Sequence, residues 1–342
     1  MSSEQKAKKK KSFIAILLIE IFIIFILLAG IIIYKMIFNK IDEIPRYDVN
    51  DKDIKQNEGI EITGYKNIVL FGVDTRDNSL KRGNSDTIMV ISINNKTKDI
   101  RLVSIYRDTY ANIPEVGYRK INAAYSNGGY ALAINTINLN FDLDIKEYVT
   151  VNFKAVVDLI DELGGITLDV QDDELKTLNG YVRELNRING TEVKGLPSAG
   201  TQAVNGTQAT AYARIRYTTG GDFKRTERQR IVISKVFEKI KESKLSTVYS
   251  LIDKILPQIY TNMTNEEIMS LAKSVFSFDI VDQTGFPFEK DAHNYKKVSY
   301  VFPINLQDNV TKLHQFLFEK EAYTPSKNVI GYSDYIEGIR VQ

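Results

Sequence analysis

A long run of apolar residues near the N-terminus constrains this chain more than any other feature. Phe13 to Ile33 spans 21 residues, and Glu20 is its one strongly polar member. At about 1.5 Å per residue, a helix of this length crosses the roughly 30 Å hydrocarbon core of a bilayer. Residues 13–34 are therefore predicted to form a transmembrane helix. Glu20 is protonated there, faces a partner helix, or is tolerated near the cytoplasmic leaflet.

The residues before this run set its predicted orientation. They include one acid, Glu4, and five lysines, Lys6, Lys8, Lys9, Lys10 and Lys11. Because lysine-rich flanks stay in the cytoplasm, residues 1–12 are predicted to be a cytoplasmic tail and the chain beyond residue 34 to lie outside. A cleaved signal peptide is the alternative. Its apolar part usually spans about 7–15 residues, so the longer run and the lack of a small-residue cleavage site favour an uncleaved anchor.

Charge and composition exclude several kinds of protein. Residues 1–40 hold seven lysines and two acids, which leaves 38 basic against 41 acidic side chains in the rest of the chain. A net-acidic ectodomain disfavours nonspecific nucleic-acid binding. The absence of cysteine excludes disulfides, thiol catalysis and thiolate-ligated metals. A serine–histidine–aspartate triad is also disfavoured, because only His293 and His314 are available and His314 lies in an amphipathic stretch that predicts a structural role.

The remaining sequence alternates predicted strands and helices. Residues 35–62 lack periodicity and predict a stalk; 63–245 predict the main domain, and 246–342 an extension that packs on it or continues it. IVLFGV, TIMVISI, IRLVSI and ITLDV predict strands, whereas FKAVVDLIDEL, NGTQATAYA and the stretch from Asp222 predict helices, with Asp222 as N-cap. Residues 171–200 read as a loop or excursion. The expected fold class is α/β, with a central sheet covered by helices.

Three predicted strands bring charged residues to one edge of this sheet. Asp74 ends the first strand and Asp86 begins the second, after an 11-residue loop that is too short for a parallel crossover. NNKTKD then turns the chain into a third strand that ends before Arg107. Either the two aspartates are ordinary loop-flanking acids, or they converge with Arg107 and Asp108 in a site for a hard cation such as Mg²⁺.

A second charged cluster follows more than a hundred residues later. It consists of Arg214, Arg216, Arg225, Arg228 and Arg230. In an extended RIR segment Arg214 and Arg216 would point to one side, and on a helix Arg225, Arg228 and Gln229 would share a face. Arginines at a helix N-terminus favour a bound anion, and their planar guanidinium groups suit phosphate oxygens. The alternative is a solvated basic helix face with Glu227 as its partner.

These motifs, taken in order, resemble the LytR–CpsA–Psr family. The segments that carry the resemblance span residues 64–245 and are NIVLFGVDTR, SDTIMVISIN, LVSIYRDTY, KINAAYSNGG, VNFKAVVDLIDELGGITLDV, LNRINGTEV and QAVNGTQATAYARIRYTTGGDFKRTERQR. The resemblance implies a single-pass surface protein of a Gram-positive-type bacterium. It also implies an α-β-α domain whose central mixed sheet encloses an apolar pocket for a lipid tail.

The implied activity is phosphotransfer. Such a protein moves an anionic glycopolymer, for example teichoic acid or capsule, from a polyprenyl-pyrophosphate carrier to peptidoglycan, with Mg²⁺ or Mn²⁺ at the pyrophosphate. The partners implied are this lipid-linked donor, peptidoglycan and the membrane, and no nucleic acid. A polyprenyl-(pyro)phosphate binding module without turnover is the first alternative. A membrane-bound transcriptional regulator is the second.

The resemblance also assigns roles to residues. It places Asp74 and Asp86 at the metal, and Arg107, Arg214, Arg216, Arg225 and Gln229 at the pyrophosphate. Asp222, which could act as the base, and Arg107 take the catalytic roles, and Arg76, Lys120, Asn122 and Arg228 fall in matching motifs with less defined roles. One departure is Tyr106, where the family commonly has proline. Tyr106 has the backbone N–H donor that proline lacks, and no ring fixes the φ angle of Tyr106.

Overall fold

Three consecutive strands lead directly to the predicted charged residues. The computed structural model describes residues 53–73 and 83–341. In it β1 (Tyr65–Val73), β2 (Ser85–Asn94) and β3 (Asp99–Ile105) follow one another. Each pairs antiparallel with the next, and the second turn falls at the predicted segment after Asn94. The predicted antiparallel arrangement of the three strands is thus confirmed.

The complete sheet is mixed. Its six strands lie in the order β10-β3-β2-β1-β6-β9, where β6 spans Glu147–Val151, β9 spans Tyr260–Thr261 and β10 spans Asp279–Phe286. β6 runs parallel to β1 and β10 runs parallel to β3. The C-terminal part of the chain therefore supplies an edge strand of the central sheet.

Three smaller antiparallel pairs surround this sheet. They are β4–β5 (Tyr110–Ile113, Gly117–Lys120), β7–β8 (Ile166–Val170, Gly200–Val204) and β11–β12 (Lys290–Tyr295, Val298–Pro303). The helices of the described residues are α1 (Ala123–Phe141), α2 (Phe153–Glu162), α3 (Asp172–Asn189), α4 (Gly206–Ala213), α5 (Gly221–Glu242), α6 (Leu245–Ile255), α7 (Asn265–Ser274), α8 (Leu306–Phe318) and α9 (Lys327–Arg340).

Two apolar cores lie on the two faces of the sheet. Successive side chains of a strand point to opposite faces. In β1, Val69, Phe71 and Val73 pack into a core that includes residues of α1, α8 and α9. The intervening Leu70 and Gly72 face a cavity beside α2 and α5, where residues of α2 to α6 form the second core. The α/β class with a central mixed sheet covered by helices is confirmed.

Three local predictions were wrong. Residues 171–200 include an 18-residue helix, α3, whose first turn is closed by a capping box of Gln171 and Glu174. The RIR segment is not extended, because Arg214 has φ −95° and ψ −7° at the end of α4. Asp222 is not the N-cap of α5; that position belongs to Gly220, at φ 91°, and Asp222 lies in the first turn.

The predicted tail, transmembrane helix and most of the stalk, residues 1–52, lie outside the described residues, as does the segment 74–82 that contains Asp74 and Arg76. Within the part of the chain that is described, no helix combines the length and the apolar character needed to cross a bilayer.

Candidate functional site

The first part of the site is an ion pair between neighbouring strands. Asp86 lies near the start of β2, and Arg107 follows β3 by two residues. Because these two strands form a hairpin, both residues reach the same edge of the sheet. There Nη1 of Arg107 donates to Oδ1 of Asp86 at 2.6 Å. The sequence predicted this convergence, although Asp74 lies outside the described residues.

The Asp222 carboxylate lies close to three arginines from different elements. Its Oδ1 lies 3.1 Å from Nη1 of Arg225, 3.4 Å from Nε of Arg216 and 3.6 Å from Nη2 of Arg107. Arg225 also donates to the Asp222 Oδ2 and to the Asp86 backbone carbonyl, both at 3.2 Å. The two predicted clusters therefore form one charged site, built from β2, the end of β3, the segment after α4, and the first turn of α5.

The arginines of α5 are buried, so the alternative of a solvated basic face does not hold. Arg225 is 4% exposed, Arg228 3% and Arg230 8%. Burial lowers the pKa of Arg225 to about 10, in spite of the opposing effect of Asp222. Burial acts on Arg107 in the same direction, but the nearby Asp86 and Asp222 carboxylates outweigh it and raise its pKa. Ionisable groups perturbed in this way are typical of functional sites.

Arg214 is held between two aromatic rings. Its guanidinium carbon lies 4.7 Å from the ring centre of Phe153 and 5.0 Å from that of Tyr181, within the range of cation–π contacts. Its Nη2 is 3.0 Å from Oε1 of Glu184, while its Nη1 is buried without a hydrogen-bond partner. The rings hold the guanidinium plane in place and leave donor capacity for a ligand.

The charged site forms the mouth of an apolar cavity of about 350 Å³. The apolar wall comes from β1, α2 and α5 and includes Leu70, Val156, Leu159, Val232 and Val236. The polar residues at the mouth are Asp86, Arg214, Arg216, Arg225 and Gln229. Among the described residues, four guanidinium groups (Arg107, Arg214, Arg216, Arg225) and the ammonium of Lys120 pair here with four carboxylates (Asp86, Asp108, Glu184, Asp222). The arrangement suits an amphiphilic anion.

Hydrogen-bonding capacity at this mouth is incomplete. Arg107 Nε, Arg225 Nε and Gln229 Oε1 are buried without a hydrogen-bond partner, as is Arg214 Nη1. Buried polar atoms are nearly always paired in folded proteins, because an unpaired one costs about 1–3 kcal/mol. Four such atoms around one cavity mouth indicate a binding site.

The remaining predicted residues separate into two groups. Lys120 lies 3.0 Å from Asp108, next to Arg107, and the backbone N–H of Asn122 donates to the Arg107 carbonyl at 3.2 Å. Both therefore lie beside the site. Arg228, by contrast, turns away from Arg225 and Gln229 and pairs with the buried Glu174 at 2.6 Å. It holds α5 against α3 and is not part of the charged mouth.

Tyr106 uses the backbone donor that a proline would lack. Its N–H donates to the Phe286 carbonyl of β10 at 2.9 Å. Its ring, 8% exposed, meets Phe223 at 4.6 Å between centroids, and Nζ of Lys290 lies 5.1 Å from the ring centre. Arg107 is thus anchored through the residue before it.

The described residues fit a Mg²⁺ ion of the kind that shares its coordination with phosphate. They supply one suitable carboxylate, Asp86, of which Oδ1 is engaged by Arg107. No group of three or more histidine or acidic side chains within residues 53–73 and 83–341 could hold a metal by itself. Mg²⁺ needs only one or two carboxylates when water and phosphate oxygens complete its shell.

Comparison with known proteins identifies the family. Residues 32–315 match the sequence model of the LytR_cpsA_psr family. This match includes every element that contributes to the charged mouth. The chain belongs to the LytR_cpsA_psr family.

Relatives within this family carry consistent names. The chain is 28% identical over 300 residues to Enterococcus faecalis TagU, a polyisoprenyl-teichoic acid–peptidoglycan teichoic acid transferase, covering 85% of this chain and 93% of TagU. It is 31% identical over 295 residues to Bacillus subtilis TagV, a transferase with the same descriptive name, covering 79% and 72%. B. subtilis TagT, solved with octaprenyl pyrophosphate, has the same fold, with a TM-score of 0.55, 24% identity and coverage of 77% and 94%.

Sequence reasoning missed several residues that shape the site. Phe153, Tyr181 and Glu184 hold Arg214, and Glu174 neutralises Arg228. Tyr181, Glu184 and Glu174 belong to α3, the helix read as a loop. The apolar spacing of Leu175, Leu178, Val182 and Leu185 is the signal that predicts this helix.

Proposed function

We propose that this protein transfers a phosphate-linked glycopolymer from a polyprenyl-pyrophosphate carrier to peptidoglycan. The observation that carries the proposal is the charged mouth of an apolar cavity, where Arg214, Arg216 and Arg225 line the cavity and Arg107 joins them through Asp222. This combination matches a ligand that has a hydrocarbon tail and a compact, multiply charged head. The names of the TagU and TagV relatives supply the substrate class.

The apolar cavity and the charged mouth each suit a different part of the donor. Burial of hydrocarbon against Leu70, Val156 and Val232 favours binding of the first isoprene units. The planar guanidinium groups of Arg107, Arg214 and Arg225 suit the pyrophosphate oxygens, because paired N–H donors match paired oxygens. Each of these arginines also has a buried nitrogen without a hydrogen-bond partner.

Transfer then requires one bond to form and one to break. A hydroxyl oxygen of the acceptor forms a bond to the phosphorus that bears the glycopolymer, and the bridging P–O bond to the lipid phosphate breaks. The hydroxyl proton passes to the Asp222 carboxylate as general base. The lipid phosphate leaves with the bridging electron pair, and the arginines stabilise its growing negative charge. No nucleophile of the protein is needed.

A divalent cation completes this proposal. Asp86 and Asp74 would hold Mg²⁺, or Mn²⁺ in its place, and the ion would neutralise charge on the pyrophosphate. We also propose that the apolar run 13–34 anchors the chain in the cell membrane of a Gram-positive-type bacterium, with residues 1–12 in the cytoplasm. The donor lipid and the site would then lie at the same surface of the membrane.

The experiment that tests the function separates turnover from binding. Full-length protein is mixed with labelled lipid-linked glycopolymer and peptidoglycan oligomers, and labelled polymer attached to peptidoglycan is measured. Wild type is expected to transfer, and Arg107→Ala and Asp86→Ala to lose about 10²-fold or more, by analogy with removal of one transition-state donor. Arg183→Ala, an exposed arginine of α3, serves as the control and should retain activity.

Two results would contradict the proposal. A wild-type protein that binds the donor and leaves it intact would be a lipid-binding module. Full transfer by both site variants, with unfolding midpoints equal to that of wild type, would place the chemistry elsewhere. A role as a nucleic-acid-binding regulator gains no support from α5, whose arginines are buried.

A further inference from the structure

Six tyrosines from three separate parts of the chain form one cluster beside the charged mouth. Tyr110 and Tyr118 come from the β4–β5 hairpin, Tyr295 and Tyr300 from the β11–β12 hairpin, and Tyr332 and Tyr335 from α9. Tyr110 contacts Tyr118, Tyr295 and Tyr300, with centroid distances of 5.6, 6.4 and 5.0 Å. These six residues are called the tyrosine cluster below.

One end of the tyrosine cluster is buried and the other is open. Tyr110 is 5% exposed at its base, whereas Tyr335 is 47% exposed and stacks on Tyr118 with 4.0 Å between ring centres. Burial and the neighbouring tyrosines raise the pKa of Tyr118 to about 12. The cluster therefore presents neutral aromatic rings, fixed from below by their neighbours. Large rings that remain at the surface in this way are a common feature of binding surfaces.

The tyrosine cluster is linked directly to the charged site. Nζ of Lys120 lies 3.0 Å from the Asp108 carboxylate and 5.9 Å from the ring centre of Tyr300. The backbone N–H of Val301, the residue after Tyr300, donates to the Asp108 carbonyl at 2.9 Å. Since Asp108 follows Arg107, these contacts connect the tyrosine cluster to the arginines of the charged site.

The tyrosine cluster and the lipid cavity lie on opposite faces of the sheet. Five of the six tyrosines, all but Tyr335, belong to or border the core that contains Phe71 and Val73 of β1, while Leu70 and Gly72 of β1 line the cavity. In phosphoryl transfer the attacking and leaving oxygens are roughly in line across the phosphorus. If the lipid phosphate leaves on the cavity side, in-line attack brings the hydroxyl from the opposite side, the side on which the tyrosine cluster lies.

We propose that the tyrosine cluster binds the glycan strand of the acceptor and positions its hydroxyl for transfer; this inference rests on the proposed function. Sugar rings have apolar C–H faces that pack on aromatic rings, and hydroxyl groups that pair with Lys120, Asp108 and the tyrosine hydroxyls. The rings that remain at the surface offer apolar faces to the sugar, and Lys120 and Asp108 at their edge offer polar groups to its hydroxyls. Tyr332 and Tyr335 lie in α9, beyond residues 32–315, the part matched by the family model, whereas the other four tyrosines lie within it.

The test measures glycan binding and transfer separately. A soluble N-acetylglucosamine–N-acetylmuramic acid oligosaccharide released from peptidoglycan is titrated into the full-length protein in detergent, and its dissociation constant is measured. Loss of both open rings in Tyr300→Ala/Tyr335→Ala is expected to weaken binding about tenfold, from the usual contribution of aromatic contacts. Tyr335→Phe keeps the ring and should bind nearly as wild type does.

Control variants and transfer kinetics make the result decisive. Phe276→Ala removes an aromatic ring that is 41% exposed and does not belong to the cluster, and it should leave glycan binding unchanged. In the transfer assay the double variant should raise the acceptor KM and leave the donor KM as in wild type. A raised donor KM would assign the cluster to the donor polymer and overturn the proposal. Wild-type affinity in the double variant would overturn it as well.

Failure of the proposed function gives a different outcome. If wild type transfers nothing, that function is wrong, but the equilibrium titration still reports whether the tyrosine cluster binds peptidoglycan glycan. Unfolding midpoints of the variants identify any loss of affinity that arises from misfolding, and Tyr335→Phe shows whether the ring suffices without its hydroxyl.

Discussion

The ring of Tyr106 fills the space that a side chain at Gly285 would occupy. A Cβ added at Gly285 would lie 2.1 Å from the Tyr106 hydroxyl oxygen and 2.6 Å from the ring carbon that bears it. Neighbouring Phe286 accepts the backbone hydrogen bond of Tyr106. The residue before Arg107 is therefore fitted to β10, and the family's usual proline is replaced here by a tyrosine that requires glycine opposite it.

Gly285→Ala should therefore disturb both stability and the site. The methyl group forces the rigid ring of Tyr106 to move, and overpacking of this kind costs about 1–3 kcal/mol. Arg107 follows directly, so transfer should fall as well. Chemical denaturation and the transfer assay measure the two effects. Gly331→Ala is the matched control, because an added Cβ meets no atom within 4 Å and α9 tolerates alanine.

Asp222→Asn should separate binding from chemistry. The three arginines around Asp222 lose their internal counter-charge, so inorganic pyrophosphate should bind to the full-length protein at least as tightly as to wild type. Transfer should fall about 10²-fold or more, because the general base is lost. Isothermal titration and the transfer assay check the two parts. Weaker pyrophosphate binding would instead show that Asp222 mainly holds the arginines in place.

Glu174→Ala should destabilise the domain without a direct effect on ligand binding. It leaves the Arg228 cation buried and unpaired, which costs about 3–5 kcal/mol. Glu184→Ala removes the partner of Arg214 at a half-exposed position and should cost about 1 kcal/mol or less. Urea denaturation of both variants gives the comparison. Equal costs would contradict the structural role assigned to Arg228.

His314 should make stability depend on pH. Its ring is buried between Tyr323 and Phe318, its Nε2–H donates to the Phe141 carbonyl at 3.1 Å, and Asp142 and Lys320 are the charged groups that act on it. Burial lowers its pKa to about 4. The unfolded chain thus binds a proton more readily, so stability is complete above about pH 6.5 and falls by about 3 kcal/mol toward pH 4. His314→Gln should remove this part of the pH dependence of the urea midpoint.

The sequence predicted the elements whose signals are local. Short apolar runs predicted β1, β2 and β3, and the short connections between them predicted the meeting of Asp86 and Arg107. The helix over FKAVVDLIDEL and the buried, structural His314 followed from 3.6-residue periodicity.

Long-range features could not be predicted in this way. The face that Arg228 presents depends on Glu174, which lies 54 residues earlier, and no local pattern connects the two residues. The conformation of Arg214 is set by Phe153 and Tyr181, which no local pattern connects with it. The assembly of Asp222 with Arg107 depends on how α5 packs against the sheet, a contact that only the folded chain provides.

The parallel pairing of β10 with β3 determines when the site can form during synthesis and folding. The strand that holds Tyr106, and through it Arg107, is synthesised only when most of the chain has already left the ribosome. Contacts so distant in sequence form late, because the intervening chain must first be ordered. A nascent chain, or one truncated before β10, would thus contain every charged residue of the mouth but would not hold Arg107 in place. The site would form only when this edge strand is complete.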